Sequence, residues 1–260
     1  LTETSQQANL IQLDSPVLSV IAYENLSSNT DKGQSSVEIS TTYNKSTTSL
    51  QEALDQICKE SLEEIEKNGR SILMLTDRNI NSGESAAPSL LVVARLHHFL
   101  IEKGVRLKAS IVSVSGDIRD SHDLACHIAY GASAVWPYLA LEKARILSLE
   151  NPDLNLSISQ AQENYRKAMD QGLLKIMSKM GICTISSYRG SELFEIIGLN
   201  EELIRSSFSY SKVRTSGIGL KELEENLNVY DEVDDSLDKI TGGFYKHKKG
   251  AEHHITSPSV

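Results

Sequence analysis

Two pairs of opposite charge stand at the ends of apolar runs. Asp77-Arg78 follows residues 71–76 (SILMLT), and Arg119-Asp120 comes shortly after residues 108–115. Charged groups at the C-terminal ends of successive parallel strands are where α/β proteins gather binding and catalytic side chains. An Asp–Arg set there suits a phosphorylated or carboxylate substrate. The same four residues also make a local ion-pair network that orders the βα loops, and this structural reading carries about twice the weight.

Histidines raise the question of a metal: His97, His98, His122, His127 and His253. At about 100° per residue, His122 and His127 lie about 140° apart around a helix, and His97 and His98 about 100° apart, so neither pair shares a ligand face. HExxH and HxH spacings are missing, and a helix with one half-buried and one exposed histidine is favoured over a metal site. Cys126, among apolar neighbours, and Cys183, at the start of an expected strand, read as buried structural thiols. Met177 and Met180 read as core. Isolated glycines, among them Gly116, Gly131, Gly217 and Gly219, form neither GxGxxG nor a P-loop. No catalytic residue and no metal ligand is assigned on this basis.

Residues 1–49 read as an irregular N-terminal segment with a polar Ser/Thr/Asn-rich loop over 27–49, poor in surface to bury and open to disorder. Leu50, Ala53, Leu54, Ile57, Cys58, Leu62 and Ile65 mark one face of a helix that Gly69 ends. Residues 71–76 and 108–115 are continuous apolar runs of the kind buried parallel strands show. Between them, a helix starts near Ser85 and Pro88, turns Leu90, Leu91, Ala94, His97 and Ile101 to one face, and closes at Gly104. A helix over 121–129, a short strand over 132–135 and a long helix over 159–180 follow. Ser157 or Ser159 offers that long helix a capping box, and Gly181 stops it. A strand over 182–186, a short helix over 191–197 and small helices from Asn200 onward, one of them acidic over 220–230, complete the pattern. Alternating strands and helices predict an α/β fold: an incomplete (β/α) barrel-like arrangement, or an open, mostly parallel sheet with covering helices. Residues 50–199 form its main domain, and 200–260 read as a linking segment.

Composition narrows the partners. The chain has 260 residues, 40% of them apolar and only 5% aromatic, and a net charge of −9. That charge argues against nucleic acid or an anionic membrane as the main partner. No apolar run approaches the roughly 20 residues of a membrane span. Three widely spaced cysteines fit a reducing compartment. A start at Leu1 without a signal peptide reads as a piece of a longer polypeptide.

Residues 130–142 (YGASAVWPYLALE) and 173–188 (LLKIMSKMGICTISSY) mix small residues, a proline and apolar side chains without amphipathic spacing. Such sequence suits backbone packed tightly at the ends of buried strands. Together with ILMLTDR (72–78), APSLLVVARLHHFLIEKGVR (87–106), GDIRDSHDLACHIAYGASAVWPYLALE (116–142) and AQENYRKAMDQGLLKIMSKMGICTISSYRGSELFEIIGL (161–199), these blocks resemble the central domain of the large subunit of glutamate synthase. The likeness runs from about LDSPVL (13–18) to the chain end, where YKHKKGAEHHITSPSV (245–260) resembles the entry to that family's flavin-binding barrel.

The resemblance implies a part within a larger oxidoreductase that makes L-glutamate from L-glutamine and 2-oxoglutarate. A neighbouring amidotransferase domain would release ammonia, and a neighbouring FMN domain with a 3Fe-4S cluster would use it. Ferredoxin or an NAD(P)H-oxidising small subunit would supply electrons. The location would be the cytoplasm, or the plastid stroma in an alga or plant. This stretch would connect the two sites, help enclose the ammonia path, hold no cofactor itself and be inactive alone. Tyr130, Trp136, Pro137 and Tyr138 are the residues expected at the interdomain face or tunnel wall, where small and apolar groups would exclude water. Two other readings stay open: a self-sufficient small α/β enzyme using Asp77, Arg78, Arg119 and Asp120, and a non-catalytic binding module.

Overall fold

The computed structural model describes residues 10–30 and 34–231. The chain clusters into two units, Leu1–Glu224 and Glu225–Val260. The sheets and the helices that pack against them belong to the first. The expected flavin-barrel entry at 245–260 lies outside the described residues.

Four parallel strands form the main sheet in chain order: β1 (Ser36–Ser40), β3 (Ile72–Thr76), β5 (Ser110–Val114) and β6 (Ala134–Trp136). The register aligns Met74 with Val112 and Val112 with Ala134, so alternate residues share a face. Ile72, Met74, Val112, Val114, Ala134 and Trp136 build one core cluster with Leu18, Tyr23 and Leu26, the last two from α1 (Val20–Ser27). Opposite-parity residues such as Leu73, Leu75, Ile111 and Val135 are equally buried. That side is covered by α2 (Leu50–Glu66), α3 (Ser89–Glu102) and α4 (Ser121–Ala129). The fold is therefore an α/β arrangement with an open parallel sheet and covering helices.

Local chemistry sets the element ends. Ser49 and Glu52 close a reciprocal capping box on α2, as do Asp120 and Asp123 on α4. Ser157 and Gln160 do the same for α6 (Ile158–Met180), and Gly181 ends it in the left-handed region at φ 73°. Helix α5 (Tyr138–Glu150) begins directly after β6 and packs on α6, which also contacts α4.

Several expectations change. The N-terminal 49 residues are not wholly irregular: α1, β1 and β2 (Thr42–Asn44) lie within them, and β2 pairs antiparallel with β4 (Glu84–Ala86). Serines disguised the edge strand, because small hydroxyls bury readily once hydrogen-bonded. Ser36 is buried, with its Oγ donating to the Ser27 carbonyl at 3.2 Å. Residues 182–186 are no strand; the short helix α7 (Ile185–Tyr188) forms there under a Thr184 cap. Residues 191–197 are no helix. They lead into β7 (Glu195–Leu199), which pairs parallel with β8 (Lys212–Ile218) across helix α8 (Glu201–Ser207). Helix α9 (Leu220–Asp231) follows. On α3, Ile101 is 44% exposed and His98 is buried instead, because the buried face is rotated toward Leu96 and Leu100.

Candidate functional site

The C-terminal end of the sheet gathers the first charged pair. Asp77, buried at the end of β3, accepts from Ser115 Oγ and from the Gly116 N–H at 3.1 Å. The Tyr138 hydroxyl, at the start of α5, reaches the same carboxylate. Burial raises the Asp77 pKa, and the hydrogen bonds from Ser115, Tyr138 and Gly116 partly offset it. Tyr138 is also pushed up, first by burial and then by the Asp77 charge. Asp117 is used elsewhere, accepting from the Ser89 N–H at the start of α3 at 3.3 Å.

Arg78 turns into a cage of aromatic rings. Its guanidinium carbon lies 5.0 Å from the Trp136 ring centroid, 5.6 Å from Tyr23 and 5.9 Å from Tyr138. It donates to the Tyr23 hydroxyl at 2.9 Å, and Tyr23 in turn donates to Glu38 of β1. Tyr23 and Trp136 stack with centroids 3.6 Å apart. Trp136 Nε1 is buried and has no hydrogen-bond partner among the described residues.

Arg119 and Asp120 do different work. Asp120 is the N-cap of α4, accepting from His122 N–H at 2.8 Å and Asp123 N–H at 3.0 Å. Arg119 lies 3.9 Å from Asp123 and is largely exposed. Asp77 accepts from a hydroxyl, a backbone N–H and a phenol, contacts that tie the βα loops together. The four residues do not join into one ion-pair network: Arg78 packs on aromatic rings, and Arg119 lies beside Asp123.

The expected wall residues separate. Trp136, Pro137 and Tyr138 close the C-terminal end of β6, with Pro137 at the N-cap of α5. Tyr130 sits before the strand, at the C-cap of α4, where its hydroxyl meets Ser211 Oγ at 2.7 Å and its ring meets Phe208 edge-on. A three-residue strand thus puts Tyr130 and Trp136 at opposite ends of the sheet. Sequence reasoning missed Tyr23, Ser115 and Glu192. Only the placing of α1 against the strand ends could have revealed Tyr23.

Histidine and cysteine behaviour is corrected in part. His98 is buried, its Nε2 3.1 Å from Glu192, while His97 is partly covered and takes a hydrogen bond from Arg106 Nε at 2.9 Å. Burial, then the Arg106 charge, holds His97 down to about 3. His127 is buried neutral: Nδ1–H donates to the Asp123 carbonyl at 2.8 Å and Nε2 accepts from Ser89 at 3.0 Å. Burial pushes the Cys126 thiol up to about 12, which removes it as a nucleophile. Cys183 is exposed, not buried, because residues 182–184 are loop and no strand forms there.

No group of three His, Cys, Asp or Glu able to hold a metal occurs among the described residues.

Comparison with known proteins places the chain. The family described as "Glutamate synthase central domain" matches residues 1–200. Ferredoxin-dependent glutamate synthase 2, chloroplastic, of Arabidopsis thaliana is 38% identical over 227 residues, covering 82% of this chain and 14% of that protein. Ferredoxin-dependent glutamate synthase 2 of Synechocystis sp. is 34% identical over 280 residues, covering 100% of this chain and 18% of that protein. The glutamate synthase [NADPH] large chain of Bacillus subtilis is 34% identical over 218 residues, covering 80% and 14%. The chain therefore spans less than a fifth of the length of these relatives.

Proposed function

This chain belongs to the glutamate synthase central-domain family, and from that premise we propose that it is the connecting domain of a glutamate synthase. In this reading the whole enzyme makes L-glutamate from L-glutamine and 2-oxoglutarate. An amidotransferase domain and an FMN domain of the same polypeptide flank this one. The FMN and a 3Fe-4S cluster lie outside this chain. Ferredoxin is the favoured electron donor, as the names of the Arabidopsis and Synechocystis relatives carry it. The location is then cytoplasm or plastid stroma.

The family match over residues 1–200 carries the proposal. The strand-end geometry supports it. Asp77 already accepts from three donors of the βα loops, which favours a structural use of it. Trp136, Pro137 and Tyr138 then form the water-poor wall beside the ammonia path, and Tyr130 is a support on the far side of β6. In the intact enzyme, Tyr138→Ala should lower glutamate formed per glutamine hydrolysed while leaving glutaminase turnover in place. A ratio unchanged in both Tyr138→Ala and Trp136→Ala, with normal folding, would overturn this role.

A further inference from the structure

At the opposite, N-terminal end of the same sheet lies a cavity of about 570 Å³. That size falls within the range of small-molecule sites, roughly 300–1,000 Å³. Its polar lining consists of cations and neutral groups: Arg106, Lys108 and Arg189, with the hydroxyls of Ser110 and Ser133 at the starts of β5 and β6. Among the described residues no carboxylate lines it, although the chain carries nine more acidic than basic groups.

The cations are held apart from the chain's own acids. Arg106 donates to His97 Nδ1 at 2.9 Å, to the Ala109 carbonyl at 2.7 Å and to the Gly131 carbonyl at 2.7 Å. All three acceptors are neutral, so its position is fixed and its charge is not cancelled. Among the described residues Arg189 gives one hydrogen bond, to Ser133 Oγ at 3.1 Å, and its side chain is exposed. Burial and then the neighbouring Arg189 lower the Arg106 pKa to about 10, so the two like charges press on each other. Among the described residues none of the three cations forms an ion pair. Crowded, uncancelled positive charge beside buried groups is costly unless an anion joins it.

The other wall is apolar. Leu26, Ile72 and Val112 belong to the inner core cluster and line the cavity where that cluster meets solvent. We propose that this cavity binds a small organic anion. Its carboxylate or phosphate head lies between Arg189 and Lys108, with Arg106 adding field from behind, and its apolar body rests on Leu26, Ile72 and Val112. The site is distinct from the strand-end surface proposed for the ammonia path, so each stands or falls alone.

Calorimetric titration of the intact polypeptide carrying this chain tests it, using octanoate and octyl phosphate as probes at low salt. At least one should bind, and octanol should bind about tenfold more weakly or not at all, since a charge-assisted hydrogen bond is worth about that factor. Arg189→Gln and Lys108→Gln, both at exposed side chains, should each weaken binding about tenfold without changing the melting temperature of the free protein. Arg205→Gln, on a surface pair with Glu201, should leave binding unchanged. The tighter of the two probes identifies the head group. Absence of binding at millimolar probe, or equal binding by both cavity variants, overturns the proposal. Inorganic phosphate binding as tightly as octyl phosphate overturns its apolar half.

Discussion

Tyr23 of α1 lies flat on Trp136 of β6, with ring centroids 3.6 Å apart and planes 12° from parallel. The contact joins a helix near the chain start to the last strand of the sheet and gives Arg78 the surface on which it rests. It also explains why an isolated tryptophan in a chain with few aromatics sits 7% exposed. Its stability consequences are direct.

Trp136→Ala removes the stacking partner of Tyr23 and the platform of Arg78 and opens a cavity in the inner cluster. A loss of about 3–5 kcal/mol in unfolding free energy is expected by chemical denaturation. Trp136→Phe keeps an apolar ring and should lose less than half of that.

Ser115→Ala takes a hydroxyl donor from the buried Asp77 carboxylate. The expected loss is about 1.5–3 kcal/mol at neutral pH, because a buried carboxyl is left with one partner fewer. The folded pKa of Asp77 is already above its unfolded value, so the native state binds more protons there. Stability therefore falls as pH rises through that interval, and the variant should extend the fall to higher pH. Denaturation across the acid range reads both effects.

His97 has the opposite sign. Its folded pKa is about 3, far below the ordinary 6.5, so the unfolded chain binds the proton first as pH falls. Stability contributed by the neutral ring is complete above about 6.5 and is lost progressively down to about 3. His97→Gln should flatten the stability profile in that window, in the presence of the unchanged His98–Glu192 pair and Arg106.

Two glycines with positive φ separate strain from collision. Gly104 has φ +71° with nothing within 4 Å of an added Cβ, so Gly104→Ala should lose only about 1–2 kcal/mol. Gly131 has φ +115°, and an added Cβ would stand 2.3 Å from His97 Nδ1. Gly131→Ala should lose about 3 kcal/mol or more, read as a lower melting temperature.

The βα alternation was legible because β3, β5 and α3 carry unambiguous signals: continuous apolar runs in the strands and a stop at Gly104 after the helix. What escaped was decided by partners distant in sequence. Ser36 and Ser40 look like loop until Ile72–Thr76 pairs with them, residue for residue. Residues 191–197 read as helix until Lys212–Ile218 supplies a strand beside Glu195–Leu199. Helix α5 hid behind the Trp136-Pro137-Tyr138 junction, whose proline serves as its N-cap and carries no side-chain signal. For the site, Asp77 and Tyr138 were named from sequence, yet their contact depends on how β3 and β6 are spaced across β5. Tyr130 and Trp136 were grouped because they are close in sequence, and the extended strand between them undoes that grouping.

One bridge sets an order of events. Val17 pairs with Val135 on the outer side of β6, while β1, reached soon after Val17 in the chain, stands at the other edge of the sheet. The segment around Val17 can therefore dock only after β6, made later, has joined. Pairings between distant segments close slowly, whereas the βα neighbours from β3 to β6 form from shorter loops. During synthesis the N-terminal segment waits, with Leu18 and Tyr23 uncovered, until β6 leaves the ribosome. In the emerging chain this is the step most open to capture by a chaperone.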